Sequence, residues 1–373
     1  MHRNIFFTII TAFAISFGNA QEHEHITSDL AASDLDTHED EDINAVIMHH
    51  IGDSYDWHLF DWKGHPVSVS LPVVVYTNKG GLSVFSSSAF HHDDAGKEVV
   101  EVNGQRFVKY HEKIYLASQS ANEDGVYLDL DEEHHALNAR PIDVSITKNV
   151  ASLFVTAILM LIIILPAANY YKRNGSGVAP KGMASFLEPL IVFVRDEIAL
   201  QNIGHKHYNR FVPYLLSLFF FIWIANMLGL IPFIPGGANL SGNIAFTMVL
   251  AVLSLIIVNV NGKKDYWKHI FWMPGVPVPV RILLAPIELV SVFAKPFALM
   301  IRLFANMTAG HIVILSLISL IFVLDSIWVS PAAIILTLFI FIIKVLVALL
   351  QAYIFALLTA LFIGQAVEEH EHH

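Results

Sequence analysis

Two apolar segments close this chain, each too long to stand upright in a bilayer, and one of them carries an arginine in its interior. The first runs from about Ile282 to Leu320 and contains the stretch ELVSVFAKPFALMIRLFANMTAGH, Glu288 to His311, with Arg302 in its middle. At 1.5 Å per residue it would be about 58 Å long, against a hydrocarbon core of about 30 Å. It must therefore tilt, lie partly in the interface, or break at Pro286 or Pro296. The second, Pro331 to Gly364, comes to about 51 Å by the same rule. The expectation is a hairpin of two long inclined helices. Asp325 and Ser326 would form its turn, with Ser330 as N-cap and Pro331 at the first helical position. A charge near the bilayer centre costs at least ~2.5–3.5 kcal/mol, so Arg302 marks a function rather than an accident of composition.

Helical spacing sorts the other polar residues around it. Glu288, Lys295 and Arg302 are seven apart and fall on one face, with Asn306 a turn further on, whereas His311 is nine past Arg302 and points the other way. On the second segment Lys344 and Gln351 are also seven apart, on a face able to meet Arg302.

The rest of the chain divides by charge. Residues 21–149 carry 24 acidic and 8 basic side chains, and residues 150–373 carry 9 and 13. With 55% apolar and 15% charged residues overall, this is a membrane protein with an attached water-facing portion. There is no cysteine, which excludes disulfides and thiolate metal sites. The basic residues are scattered among membrane loops, which argues against a nucleic-acid partner.

Residues 1–20 combine Arg3, an apolar run and the small residues Gly18 and Ala20, the pattern of a signal peptide, with an uncleaved first helix as the alternative. An acidic, His-rich arm follows over 21–54. Between Tyr55 and Leu130, the runs WHLFDW, PVSVSLPVVVY, GLSVFSSS and RFVKYHEKIYL alternate with turn sequences, so 55–148 reads as a small β-rich exported domain. Residues 21–149 hold 12 of the 20 histidines, including His91/His92 and His134/His135. No fixed ligand spacing repeats among them, and no metal site is assigned.

Membrane helices are expected at about 150–171, 211–231 and 239–260, before the two long ones at 282–320 and 331–364. A charged, amphipathic helix at 183–203 would lie on the cytoplasmic surface. Lys172 and Arg173, then Lys263, Lys264, Lys268 and Arg281, mark cytoplasmic loops by the positive-inside rule. The fold class is thus membrane all-α with five transmembrane helices, plus the β-rich domain, with the N-terminus periplasmic and the C-terminus cytoplasmic.

Arginine keeps its proton in a protein, so Arg302 cannot relay protons, but it favours ionisation of a carboxylate that comes within ~4–6 Å. Glu288, about 21 Å away along the helix, is too distant to be that carboxylate. A carboxylate from another subunit is required. His311 titrates near neutrality and suits either a proton path or a helix–helix hydrogen bond. Lys295 is either part of a path or a snorkelling side chain. Asn226 and Asn243 suit packing as well as function.

The run KPFALMIRLFANMTAGH (295–311), with Glu288 before it and LLQAYIFALLTALFI (349–363) after it, resembles subunit a of the F-type ATP synthase, over about 150 to 373. The resemblance implies a bacterial inner-membrane stator subunit with no catalytic site or cofactor of its own. It implies two proton half-channels meeting the c-subunit ring at Arg302, with Asn306 and Gln351 beside it and Glu288 at the cytoplasmic exit. Its partners would be the c-subunit ring, the b-subunit stator stalk, the F1 sector through the complex, and lipid. Many members have Glu nine residues after the arginine and His seven before the glutamine; here those positions are His311 and Lys344. The alternative function is a membrane-anchored His-rich metal-binding or sensor protein, which leaves Arg302 unexplained.

Overall fold

The computed structural model describes residues 52–62, 65–131, 134–175, 179–231, 237–273, 276–323 and 330–368. The signal peptide, almost all of the acidic arm, the Asp325–Ser326 turn and the last five residues lie outside them. The described chain forms two compact units, divided between Leu153 and Phe154 within the first membrane helix, with residues 237–238 grouped with the first.

The first unit is β-rich. Its strands are β1 (Asp56–Trp62), β2 (His65–Ser70), β3 (Pro72–Thr77), β4 (Gly81–Ser86), β5 (Val100–Val102), β6 (Gln105–Tyr110), β7 (Lys113–Leu116) and β8 (Ile142–Asp143). All pairing is antiparallel, in sheets ordered β1-β2, β4-β3-β8 and β5-β6-β7. Two of the runs legible in the sequence each hold two strands. PVSVSLPVVVY breaks at buried Leu71, where Pro72 supplies no N–H, and RFVKYHEKIYL folds back on His111 and Glu112, both at positive φ. Alternation places Val73 and Val75 of β3 inward with Tyr55, Phe90, Phe107 and Ile114 to form the core.

Asp53 ties the start of this unit to its end. Its carboxylate accepts from Asn149 N at 2.9 Å and Thr147 Oγ1 at 2.8 Å. These groups stand at the start of helix α1 (Lys148–Asn174), so Asp53 acts as a helix cap supplied from about a hundred residues earlier in the chain.

The second unit is helical. After α1 come α2 (Met183–Phe193), which continues as a π-helical turn (Val194–Leu200) to Ile203, then α3 (Tyr208–Leu230), α4 (Ile244–Asn261), α5 (Lys264–Phe271), α6 (Val278–Val323) and α7 (Ser330–Val367). Five of the described helices, α1, α3, α4, α6 and α7, are long and apolar enough to cross a membrane. Asn243 caps α4 by accepting from Ala245 N and Phe246 N, which starts this helix at Ile244 rather than at the expected 239. Helix α6 runs unbroken through Pro286 and Pro296 for 46 residues, so neither proline ends it. In a membrane, neighbouring helices and local adjustments can satisfy the carbonyls that proline frees.

Close approach comes from small residues four apart. Ala348, Ala352, Ala356 and Ala360 are buried on α7, which packs on α3, and Gly364 continues the row. A Cβ on Gly364 would stand 1.9 Å from the Asn202 carbonyl oxygen. Small side chains let backbones meet where the surrounding lipid gives no hydrophobic drive. The segment expected to be a surface helix is amphipathic. Ala184, Leu187, Val194 and Ile198 are buried against the bundle, while Arg195 and Glu197 are exposed.

Candidate functional site

Helix α6 sorts its residues by period. Leu299, Leu303, Met307 and Gly310, at steps of four, four and three, are buried toward the bundle. Arg302 falls on the other side and is exposed. The neighbouring turns of that side carry Ala294, Ala298, Ala305 and Ala309, all exposed. Arg302 therefore stands in a strip of small side chains, with larger exposed ones such as Phe297 and Ile301 elsewhere on α6. Among the described residues no carboxylate pairs with it.

The other polar residues of the hairpin face inward or sideways and find partners within the chain. Glu288 lies 3.9 Å from His269 Nδ1 on α5. Lys295 donates to Gln365 Oε1 at 3.1 Å and lies over the Phe362 ring, 5.3 Å from its centroid. Lys295 and Gln365, with Ser254 and Tyr266, line a cleft among α4, α5, α6 and α7. Tyr266 donates to Asn259 Oδ1 at 3.1 Å, and burial, then the Glu288 carboxylate, raises its phenol.

Beyond Arg302, Lys344 donates to the Asn306 carbonyl at 3.0 Å. Its ammonium occupies the space above Gly310, where a Cβ would stand 1.7 Å from Nζ. Asn306 and His311 are half-buried. Gln351 is buried at 6% exposure on α7, whereas Arg302 is exposed. Thr308 reaches the Gly242 carbonyl at 3.3 Å and ties α6 to the turn before α4. Asn226 and Asn243 are structural: Asn226 donates to the Ala348 carbonyl and accepts from Ser241, and Asn243 is the α4 cap.

Spacing along the sequence missed His269, Gln365 and Gly310. Each owes its place to a partner on another helix. Gly310 carried the best signal, as a glycine inside a helical run beside His311. In the β-rich unit, no three His, Asp or Glu side chains among the described residues are placed to hold a metal ion.

Comparison with known proteins joins these observations. Residues 150–364 match the ATP synthase A chain family, and residues 46–144 match a Domain of unknown function (DUF8433). ATP synthase subunit a of Chloroherpeton thalassium is 43% identical over 235 residues, 62% of this chain and 69% of that one. ATP synthase subunit a 2 of Chlorobaculum tepidum is 43% identical over 243 residues, 64% and 67% of the two chains. Its counterpart in Prosthecochloris aestuarii is 44% identical over 237 residues, 62% and 71%. The family match, residues 150–364, includes Arg302 and Lys344 and spans more than half of the sequence. The chain belongs to the ATP synthase A chain family.

Proposed function

We propose that this chain, a non-catalytic proton-translocating subunit of ATP synthase, works by presenting Arg302 to the membrane carboxylates of a rotating c-subunit ring. One observation carries this reading: a permanent cation stands on the exposed side of a membrane helix, in a strip of alanines, with no carboxylate among the described residues paired with it. Exposure to lipid alone would be too costly to keep. A carboxylate arriving from a neighbour offsets that cost and loses its proton as it does so. The alanines leave room for a second helix to approach.

Two half-channels then meet at Arg302. The cleft holding Lys295 and Gln365, with Glu288 beyond it, suits the cytoplasmic one; Asn306, His311 and Lys344 suit the outer one, with Gln351 between the two sets. A proton cannot pass directly between them, because Arg302 repels it. Each charge crossing the full potential carries about 2.3 kcal/mol per 100 mV, so closing that leak conserves the free energy used for synthesis. The protein lies in the bacterial inner membrane, with residues 55–148 periplasmic after removal of residues 1–20, and its C-terminus cytoplasmic. The b-subunit stalk and the F1 sector complete its partners.

The test is disulfide crosslinking in native membranes. The chain has no cysteine, so Ala298→Cys and Ala305→Cys are unique sites on the Arg302 strip. Each is paired with a cysteine flanking the c-subunit carboxylate. A disulfide is expected from both. A folded, inserted and assembled protein that forms neither would give Arg302 a different partner.

A further inference from the structure

An antiparallel sheet with one face on the core ordinarily turns polar side chains outward. The sheet β4-β3-β8 does the opposite. Register places Leu82, Tyr76 and Ile142 in one row across its outer face. Val84, Val74 and Val144 form the next row, Val144 N donating to the Val74 carbonyl at 2.9 Å. Leu82, Tyr76, Ile142, Val84 and Val144 are each 43–59% exposed. The core does not need them, since Val73 and Val75 already fill it from the other side of β3. By contrast, sheet β5-β6-β7 sets Glu101 opposite Arg106. A contiguous apolar face of this kind marks a surface that something covers.

We infer that this face lies on the outer leaflet of the lipid bilayer, as an interfacial anchor of the β-rich unit. The segment that carries Ile142 and Val144 runs on through Ser145–Thr147 into α1, which begins at Lys148 and is an apolar span. Four residues of chain hold Val144 within about 14 Å of the start of that span. The apolar face is thus tethered by a short stretch of chain to a helix able to cross lipid. Tyr76, apolar in body and polar at its tip, is a residue type enriched at membrane interfaces.

Charge points the same way. Residues 21–149 carry only 8 basic side chains, yet one exposed one, Lys79, stands in the β3–β4 turn at the Tyr76–Ile142 end of the face. The acidic residue among these positions, Asp143, alternates to the other side of β8, where its carboxylate accepts from Tyr55 OH. Apolar rows with a cation at their end match acyl chains edged by phosphates. The anchor would also hold the acidic unit against a surface that its net charge would otherwise avoid.

The experiment uses the full chain, alone, in nanodiscs of phosphatidylcholine and phosphatidylglycerol. Single cysteines replace Leu82, Val84 or Val144, and Glu123 in an exposed loop serves as control; each carries a nitroxide. The three face positions should be more accessible to oxygen than to a water-soluble nickel chelate, and Glu123→Cys the reverse. An aqueous Glu123→Cys also shows that the unit has not simply collapsed into lipid. A companion variant, Val84→Asp on this outward face, should return the label at position 144 to water, whereas Ser88→Asp should not. Three face positions as open to the nickel chelate as position 123 would overturn the inference. So would shielding that appears only in the assembled complex, because a protein subunit would then cover the face.

Discussion

Lys344 Nζ donates to the backbone carbonyl of Asn306 at 3.0 Å, crossing from α7 to α6 over Gly310. The contact depends on the missing side chain. With a Cβ at position 310, the three outer atoms of Lys344 would all lie closer than any real contact allows. Gly310→Ala should displace a flexible side chain without moving backbone. The expected result is normal assembly and near-normal thermal stability, with proton-driven ATP synthesis reduced several-fold. Stability and synthesis measured on the same preparation check it.

Gly364→Ala should behave in the opposite sense. The obstacle there is the Asn202 carbonyl, which is backbone and cannot swing aside. Overpacking of this kind typically costs ~1–3 kcal/mol. A lower unfolding midpoint in detergent, and poor accumulation in membranes, are expected before any specific loss of transport.

Arg302→Ala should abolish coupled ATP synthesis in inverted vesicles while leaving the subunit folded, since the side chain is exposed and packs no core. Arg302→Lys should fail as well, because an ammonium lacks the planar guanidinium fork and can lose its proton. Near-normal synthesis by either variant would contradict the proposed role.

Asn226→Ala should destabilise the bundle by ~1–3 kcal/mol, because it leaves the buried Ala348 carbonyl and Ser241 hydroxyl without their partner. The loss should appear in thermal unfolding, and restoring the side chain should restore the midpoint.

In the β-rich unit, Asp94 accepts from Glu112 N at 2.7 Å and faces Lys109 at 3.7 Å, with His111 also near. Burial raises its carboxyl above the ordinary value, and the Glu112 charge adds to that against the opposing pull of Lys109 and His111. A raised folded pKa means that the folded state takes up the proton first. The resulting stabilisation is complete below the unfolded value and is lost as pH rises through the folded one. Protection factors of the β6–β7 amides, with the intrinsic acid slowing of exchange divided out, should therefore rise on acidification through and just above the carboxylate range. Asp94→Asn should flatten that dependence.

The sequence made the membrane class, the five spans and the position of Arg302 legible, because apolar length and an intramembrane charge are local and costly signals. It also separated a β-rich segment from a helical one, since period-two runs and turn residues are local too. Strand count was less legible: Leu71 and the His111–Glu112 turn interrupt runs that look continuous. Which polar residues meet depends on how the helices pack. Lys295 with Gln365, Glu288 with His269 and Lys344 with Asn306 each join residues from different helices. The same is true of Arg302, which faces outward while Gln351 is buried. Periodicity gives the face of one helix, but the rotation of a second helix against it is set by packing, here by Ala348, Ala352, Ala356, Ala360 and Gly364, and that registration decides the contacts.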